Sequence, residues 1–315
     1  MITVISPKNG AVVPQLTEKH KRYLDGASEA ERVSYDDSLP LPVTVEFQPP
    51  TSGKVILTRA SDGHTETFCA KDGKAELFGL RVGESYSVCV SVGLMTSEPR
   101  AFTTEAQAPR LLYVDGISNV RDVGGYVTTD ERLIRQDLLF RSSELDCHFN
   151  ITNEGRRTLT ERLGIRTDID LRGINGEKAE SVLDGVRHTV FPLAAYGDIF
   201  TPTQKELYRQ IFVLLSHRAT YPALLHCWSG TDRTGTLCYV LGALLGIDEG
   251  ELELDYEMSS FSVCGERSVS GDPFKEFKKR FYAYGSSARS AAEGFLADCG
   301  VSKDTIDKIR KIFIA

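Results

Sequence analysis

Tryptophan occurs once in these 315 residues, methionine three times and histidine six times. The histidines form no cluster at metal-ligand spacing, and the seven cysteines include no Cys-x-x-Cys pair. That leaves neither a zinc framework nor a thioredoxin-like dithiol. An odd number of cysteines also fits a reducing compartment with free thiols better than a disulfide scaffold. No apolar run approaches the ~20 residues that a membrane helix needs. The opening Met-Ile-Thr-Val-Ile-Ser-Pro-Lys lacks the basic start and apolar stretch of a secretion signal. A cytoplasmic protein without a membrane span is therefore expected, with export of a longer or unconventionally secreted form as the alternative. Basic residues are outnumbered 37 to 44, for a net charge of −7. That excludes a general nucleic-acid binder, and any anionic ligand must be attracted by a local field.

What the chain has instead is concentrated between Leu224 and Gly235, Leu-Leu-His-Cys-Trp-Ser-Gly-Thr-Asp-Arg-Thr-Gly. The apolar run Ala223 to Leu225 reads as a short buried strand. After the motif, Leu237, Val240, Leu241, Leu244 and Leu245 recur at helical spacing until Gly246 ends the pattern. Cys227 thus lies in a tight loop between a strand and a helix N-terminus. Successive amides of such a loop point into one concavity, where the helix dipole adds positive potential; an oxyanion is held there and a thiolate is favoured. Arg233, six residues on, can fork two hydrogen bonds onto one phosphoryl group, as Lys cannot. The loop so offers a nucleophile (Cys227), an amide cradle (Trp228, Ser229, Gly230, Thr231, with the Thr234 hydroxyl) and a clamp (Arg233).

The pattern His-Cys-x5-Arg-Thr-Gly resembles the phosphate loop of the cysteine-dependent protein tyrosine phosphatases. Upstream segments strengthen the likeness: Ile-Ser-Asn-Val-Arg-Asp-Val-Gly-Gly-Tyr at 117–126, Phe-Arg-Ser-Ser-Glu-Leu at 140–145 and Asp-Leu-Arg at 170–172. These resemble a branch that includes bacterial dual- or triple-specificity phosphatases, over residues 112–315. The resemblance implies hydrolysis of phosphotyrosine proteins or other phosphomonoesters through a phosphocysteine, with no metal and no cofactor, since the loop supplies the positive field. It implies that His226 orients the loop and that Thr234 hydrogen-bonds the sulfur. Arg121, Asp122, Arg141 and Arg172 read as an ion-pair network under the site. For the general acid, Asp232, immediately before Arg233, is favoured over Asp198. The segment 191–198 holds Asp198 but departs from the family's Trp/Phe-Pro-Asp pattern, because Leu193 follows Pro192. Thr231 stands where inositide-active members often carry Lys. A phosphoinositide or inositol-phosphate phosphatase is the first alternative and a phosphotyrosine-binding pseudophosphatase the second. A sulfur-transfer enzyme would not need Arg233-Thr-Gly.

Residues 1–108 are expected to form a separate all-β sandwich. Short β-rich stretches at 43–47, 54–58, 65–68, 74–78 and 85–92 alternate with Gly, Pro and Asp. Leu80 to Val90, with Tyr86, resembles the tyrosine corner of fibronectin type III or Ig-like modules, and a protein partner is expected there if anywhere. A helix between Leu16 and Gly26 interrupts the strands, and 103–110 reads as a polar linker. Residues 109–315 are expected to be an α/β domain with a mainly parallel sheet and flanking helices. Helices are expected from Asn153 to Leu163 behind Thr152, from Glu206 to Leu215, and three times in the tail.

Overall fold

The computed structural model describes residues 1–26, 37–174 and 181–315. Two compact units emerge. One comprises Met1–Lys21 with Pro40–Tyr113, the other Arg22–Leu39 with Val114–Ala315. The chain therefore visits the second unit early, returns to complete the first, and then completes the second.

In the first unit, strand Val43–Gln48 pairs antiparallel with Thr3–Ser6 on one side and Lys74–Leu77 on the other. A second sheet carries Gly53–Arg59 between Thr65–Ala70 and Ser85–Val92, with Arg100–Thr104 beyond. Alternation decides which side chains enter: Val43, Val45 and Phe47 are buried while Glu46 and Gln48 face out. Val45, Val55, Leu57, Leu77, Val88, Val90 and Phe102 form one apolar cluster fed by both sheets. Full burial of each such side chain stabilises by roughly 1.5–3 kcal/mol. The Tyr86 hydroxyl accepts a hydrogen bond from the Arg81 amide at 3.0 Å, pinning the preceding turn. The stretch expected as a linker is not loose. Thr103 and Thr104 belong to strand Arg100–Thr104, the Thr104 hydroxyl donates to Arg81 O at 2.6 Å, and the buried Arg110 donates to Gly79 O at 2.8 Å. Polar composition was misleading there because these groups satisfy turn carbonyls rather than water.

The second unit is built on a five-stranded sheet: Arg121–Asp122, Leu139–Ser142, Ala223–His226, Thr167–Asp170 and Arg187–Val190, in that order. All neighbouring pairs are parallel except the first. Parallel strands buried on both faces read as continuous apolar runs, and Ala223–His226, in the middle, is buried throughout. Its end lies level with Ser142 on one side and Asp170 on the other. Whatever follows these three strands therefore converges beyond their carboxyl ends, where open α/β sheets bind ligands. The helix Asp232–Leu245 leaves that edge. It is buried from Thr234 to Leu245 and closes on Gly246 in the left-handed conformation (φ +88°). Tyr239 on this helix packs edge-on against Phe274, Phe277 and Phe281 of helix Asp272–Phe281.

Helices stand at Pro202–Leu215, Ala288–Asp298 and Lys303–Phe313, the last capped by Ser302 accepting from Thr305 N. The helix expected from Asn153 to Leu163 differs. Its Thr152 cap forms, accepting from Gly155 N, but α-helix ends at Arg157 and Thr158–Arg162 is a π turn. Thr158 and Thr160 donate back to Glu154 O and Arg156 O, which loosens the regular ladder.

Candidate active site

Cys227 follows the central strand and is only 2 % exposed. The loop after it is shaped from behind, by groups that capture its carbonyls. His226 Nδ1 lies 3.3 Å from Cys227 O, and Glu144 N donates to Trp228 O at 2.8 Å. Asn119 Nδ2 donates to Ser229 O at 3.2 Å, and Arg141 Nη2 to Gly230 O at 2.7 Å. In a planar trans peptide the N–H points opposite to the C=O. Four carbonyls drawn to the rear therefore turn the amides of Trp228, Ser229, Gly230 and Thr231 toward the front, beside Cys227. Gly230 is required for this path: its φ is +70°, and a Cβ there would sit 2.2 Å from Ser142 O. The helix Asp232–Leu245 begins directly after the loop and adds its N-terminal partial charge. Arg233 is half-buried in the first turn. Thr234 Oγ1 is buried with no hydrogen-bond partner among the described residues, so the expected bond to the Cys227 sulfur is not made in this state.

Charge below the loop is organised around two acids, the buried Asp168 and the half-buried Asp255. His226 donates from Nε2 to Asp168 Oδ1 at 2.8 Å. Burial would lower the imidazole, but the Asp168 carboxylate outweighs it and holds His226 up to about 9. A doubly protonated ring donates from both nitrogens, which matches its contact with Cys227 O. Asp255 bridges Arg121 (Nε to Oδ1, 2.7 Å) and Arg141 (Nη1 to Oδ2, 2.7 Å), with Tyr126 also donating at 3.1 Å. Burial alone would raise the Asp255 carboxyl, yet the two guanidiniums keep it below the usual value. Arg172 pairs instead with Asp170, Glu144 and Asp146. Asp122 accepts from Gly124 N and Asp137 N and fixes a turn.

The two acid candidates are separated. Asp232 lies at the loop, gripped by Arg267 (Nε to Oδ1, 2.7 Å; Nη2 to Oδ2, 3.2 Å) and by the Tyr196 hydroxyl, which also shares a 2.6 Å bond with Tyr256. Burial and the adjoining Asp232 charge push the Tyr196 phenol above its usual range. Asp198 is exposed on the 3-10 turn Tyr196–Phe200. The segment 191–198 thus brings Tyr196, with a φ of +55°, rather than Asp198 against the loop. At the front, Trp228 is 40 % exposed and meets His148 edge-on, with Nε1 donating to Nδ1. Thr231 is fully buried.

Sequence reasoning missed Asn119, Asp255, Arg267 and Tyr196. Asp255 belongs to the acid-rich helix Glu249–Glu257, where its neighbours Glu249 and Glu253 meet Lys278 instead. No local signal distinguishes the one that turns inward. Asn119 lay inside a quoted motif and could have been singled out as a carbonyl binder.

A family model described as "Tyrosine phosphatase family" matches residues 112–315. The triple specificity protein phosphatase PtpB of Mycobacterium tuberculosis is 23 % identical over 279 residues, covering 63 % of this chain and 97 % of that protein. A putative tyrosine-protein phosphatase of Cupriavidus necator, H16_A0669, is 27 % identical over 200 residues, covering 53 % and 69 %. Among solved structures, the core catalytic domain of the PP-IP phosphatase SIW14 from S. cerevisiae aligns at a TM-score of 0.33 and 20 % identity, over 46 % of this chain and 86 % of that one.

Proposed function

We propose, from the premise that the chain belongs to the tyrosine phosphatase family and is a phosphoric monoester hydrolase, that Cys227 carries the phosphoryl group between two in-line displacements. In the first, the Cys227 thiolate forms an S–P bond as the ester oxygen leaves with a proton. In the second, water attacks phosphorus and the thiolate departs. The amides of Trp228 to Thr231 and the Arg233 fork hold the equatorial oxygens, where transition-state charge is concentrated. His226 and Asn119 keep the carbonyls away from that charge. The observation that carries this reading is the rearward capture of four successive loop carbonyls.

Asp232 is the proposed acid, since Asp198 is exposed while Asp232 adjoins the cradle. Its carboxyl must give up part of the Arg267 grip to deliver a proton, which makes Arg267 part of the same device. Phosphotyrosine is the proposed substrate rather than inositol polyphosphate. Thr231 offers no second cation, and the Arg267 guanidinium is engaged with Asp232. The PtpB relative is named for triple specificity, so a second phosphoester class belongs in any screen.

Residues 109–315 are the proposed catalytic domain; the compact unit that carries the site begins at Val114 and also takes in Arg22–Leu39. The first unit is proposed to be a fibronectin type III or Ig-like module offering a protein-binding surface; the Tyr86 hydroxyl contact supports this. Seven free thiols support a cytoplasmic, reducing location. No described helix is long and apolar enough to cross a membrane. Phosphate release from p-nitrophenyl phosphate, blocked by vanadate, tests the reading. Cys227→Ser should lose at least about a thousandfold in kcat, or ~4 kcal/mol, while still binding vanadate. Turnover within tenfold of wild type would rule out the phosphocysteine.

A further inference from the structure

Two ends of a segment far upstream in sequence reach the machinery of the second unit. Ser38, buried, accepts from the Asn119 amide at 3.2 Å and shares a 3.2 Å hydrogen bond with Ser118 Oγ. Asn119 is the residue whose side chain draws back Ser229 O of the phosphate loop and accepts from Arg121 Nη1. It holds a φ of +60°, a conformation that costs a non-glycine residue and persists only where its surroundings fix it. At the other end, the Tyr23 hydroxyl donates to Glu257 Oε2 at 2.6 Å, and the ring packs edge-on against Phe261. Glu257 Oε1 in turn accepts from Val269 N at 2.7 Å, and Asp37 N donates to Phe261 O at 2.7 Å. The turn from Glu257 to Val269 carries Arg267, whose backbone is tied to Ser260 Oγ and whose guanidinium grips Asp232.

We propose that Tyr23 and Ser38 are positioning residues of the catalytic unit. Ser38 sets the phosphate loop through Asn119, and Tyr23 sets the Asp232 grip through Glu257 and Arg267. This rests on the reading of Cys227 and Asp232 above. Both act through other residues, so each leaves its own signature. Loss of the Ser38 hydroxyl orphans a buried amide N–H and frees Asn119 to relax, which lets Ser229 O swing toward the oxyanion. Loss of the Tyr23 hydroxyl leaves the cradle alone and loosens only the group that protonates the leaving oxygen. A segment that merely packed would lower the melting temperature and leave the folded enzyme's constants where they were.

The test uses the full chain, at a temperature well below every variant's melting point. Ser38→Ala is expected to weaken vanadate affinity, measured by calorimetry, about fivefold. It should lower kcat/KM for p-nitrophenyl phosphate and phosphotyrosine by a similar factor, with Ser38→Thr restoring both. Tyr23→Phe is expected to leave vanadate affinity within twofold and to slow phosphotyrosine about threefold more than p-nitrophenyl phosphate. Constants within twofold of wild type in both Ser38→Ala and Tyr23→Phe, whatever their melting points, would overturn the proposal. So would a loss in Ser38→Ala that Ser38→Thr does not restore. A wild-type chain that releases no phosphate would defeat the functional reading instead; vanadate affinity needs no turnover and would still judge Ser38.

Discussion

The two units stabilise themselves in opposite ways. Under its sheets the first unit buries Val45, Val55, Val88 and Val90 without a trace of exposure; its Arg59–Asp62 pair stays at the surface, and its buried Arg110 donates to the Gly79 carbonyl. The second buries three guanidiniums, of Arg121, Arg141 and Arg172, each 1 % exposed, beneath the carboxyl ends of its strands. Apolar burial is non-directional and cheap to arrange. Buried charges are costly to desolvate and persist where opposite charges and hydrogen bonds face them. What they give in return is direction: Arg141 fixes Gly230 O, and the His226–Asp168 pair fixes Cys227 O. The first unit's core is carried mainly by valines, whereas the carbonyls from Cys227 to Gly230 are held by anchors that tolerate little rotation.

Matched substitutions probe this contrast. Asp255→Asn strips the shared partner from Arg121 and Arg141 and should cost about 3–5 kcal/mol, the usual cost of an orphaned buried charge. Its counterpart Asp62→Asn breaks a surface pair and should cost under about 1 kcal/mol. Urea denaturation of both would erase the distinction if the two losses matched. Next in size, Arg233→Lys should reduce kcat/KM about a hundredfold, or ~2.7 kcal/mol, since a point charge cannot reproduce the fork. A change below about threefold would remove Arg233 from the reacting phosphoryl group.

Asp232→Asn should slow phosphotyrosine roughly tenfold more than p-nitrophenyl phosphate, whose leaving group departs with little help. The same selective loss in Asp198→Asn alone would transfer the role to the exposed turn. The remaining test is of pH. His226 titrates near 9 in the folded chain against 6.5 for an ordinary imidazole. The stability it contributes is therefore complete below about pH 6.5 and is lost as pH rises through about 9. Melting temperature should fall across that window in the wild type and stay level there in His226→Asn.

Spacing made the loop readable, because Cys227, Gly230 and Arg233 are constrained by one short turn and its helix. The parallel strands were readable for the same local reason, as apolar runs such as Ala223 to Leu225. What surrounds the loop was not. Asp255 looks like any surface acid of its helix, and Arg267 lies in a stretch of Ser and Gly with no periodicity. Tyr196 occupies the segment searched for an acid, but only its left-handed backbone turns the ring inward and leaves Asp198 outside. Ser38 lies 81 residues before Asn119, and no pattern along a chain connects two such positions. The polar stretch at 103–110 misled for a related reason: its donors meet carbonyls from distant turns.

The one tryptophan of the chain is the second residue of this loop, half in solvent, its indole N–H bound to a histidine ring. All indole emission from the protein therefore originates beside the sulfur. The molecule carries its own optical reporter: with the proposed phosphocysteine, stopped-flow mixing with an unlabelled phosphoester times the arrival of the phosphoryl group and its departure separately.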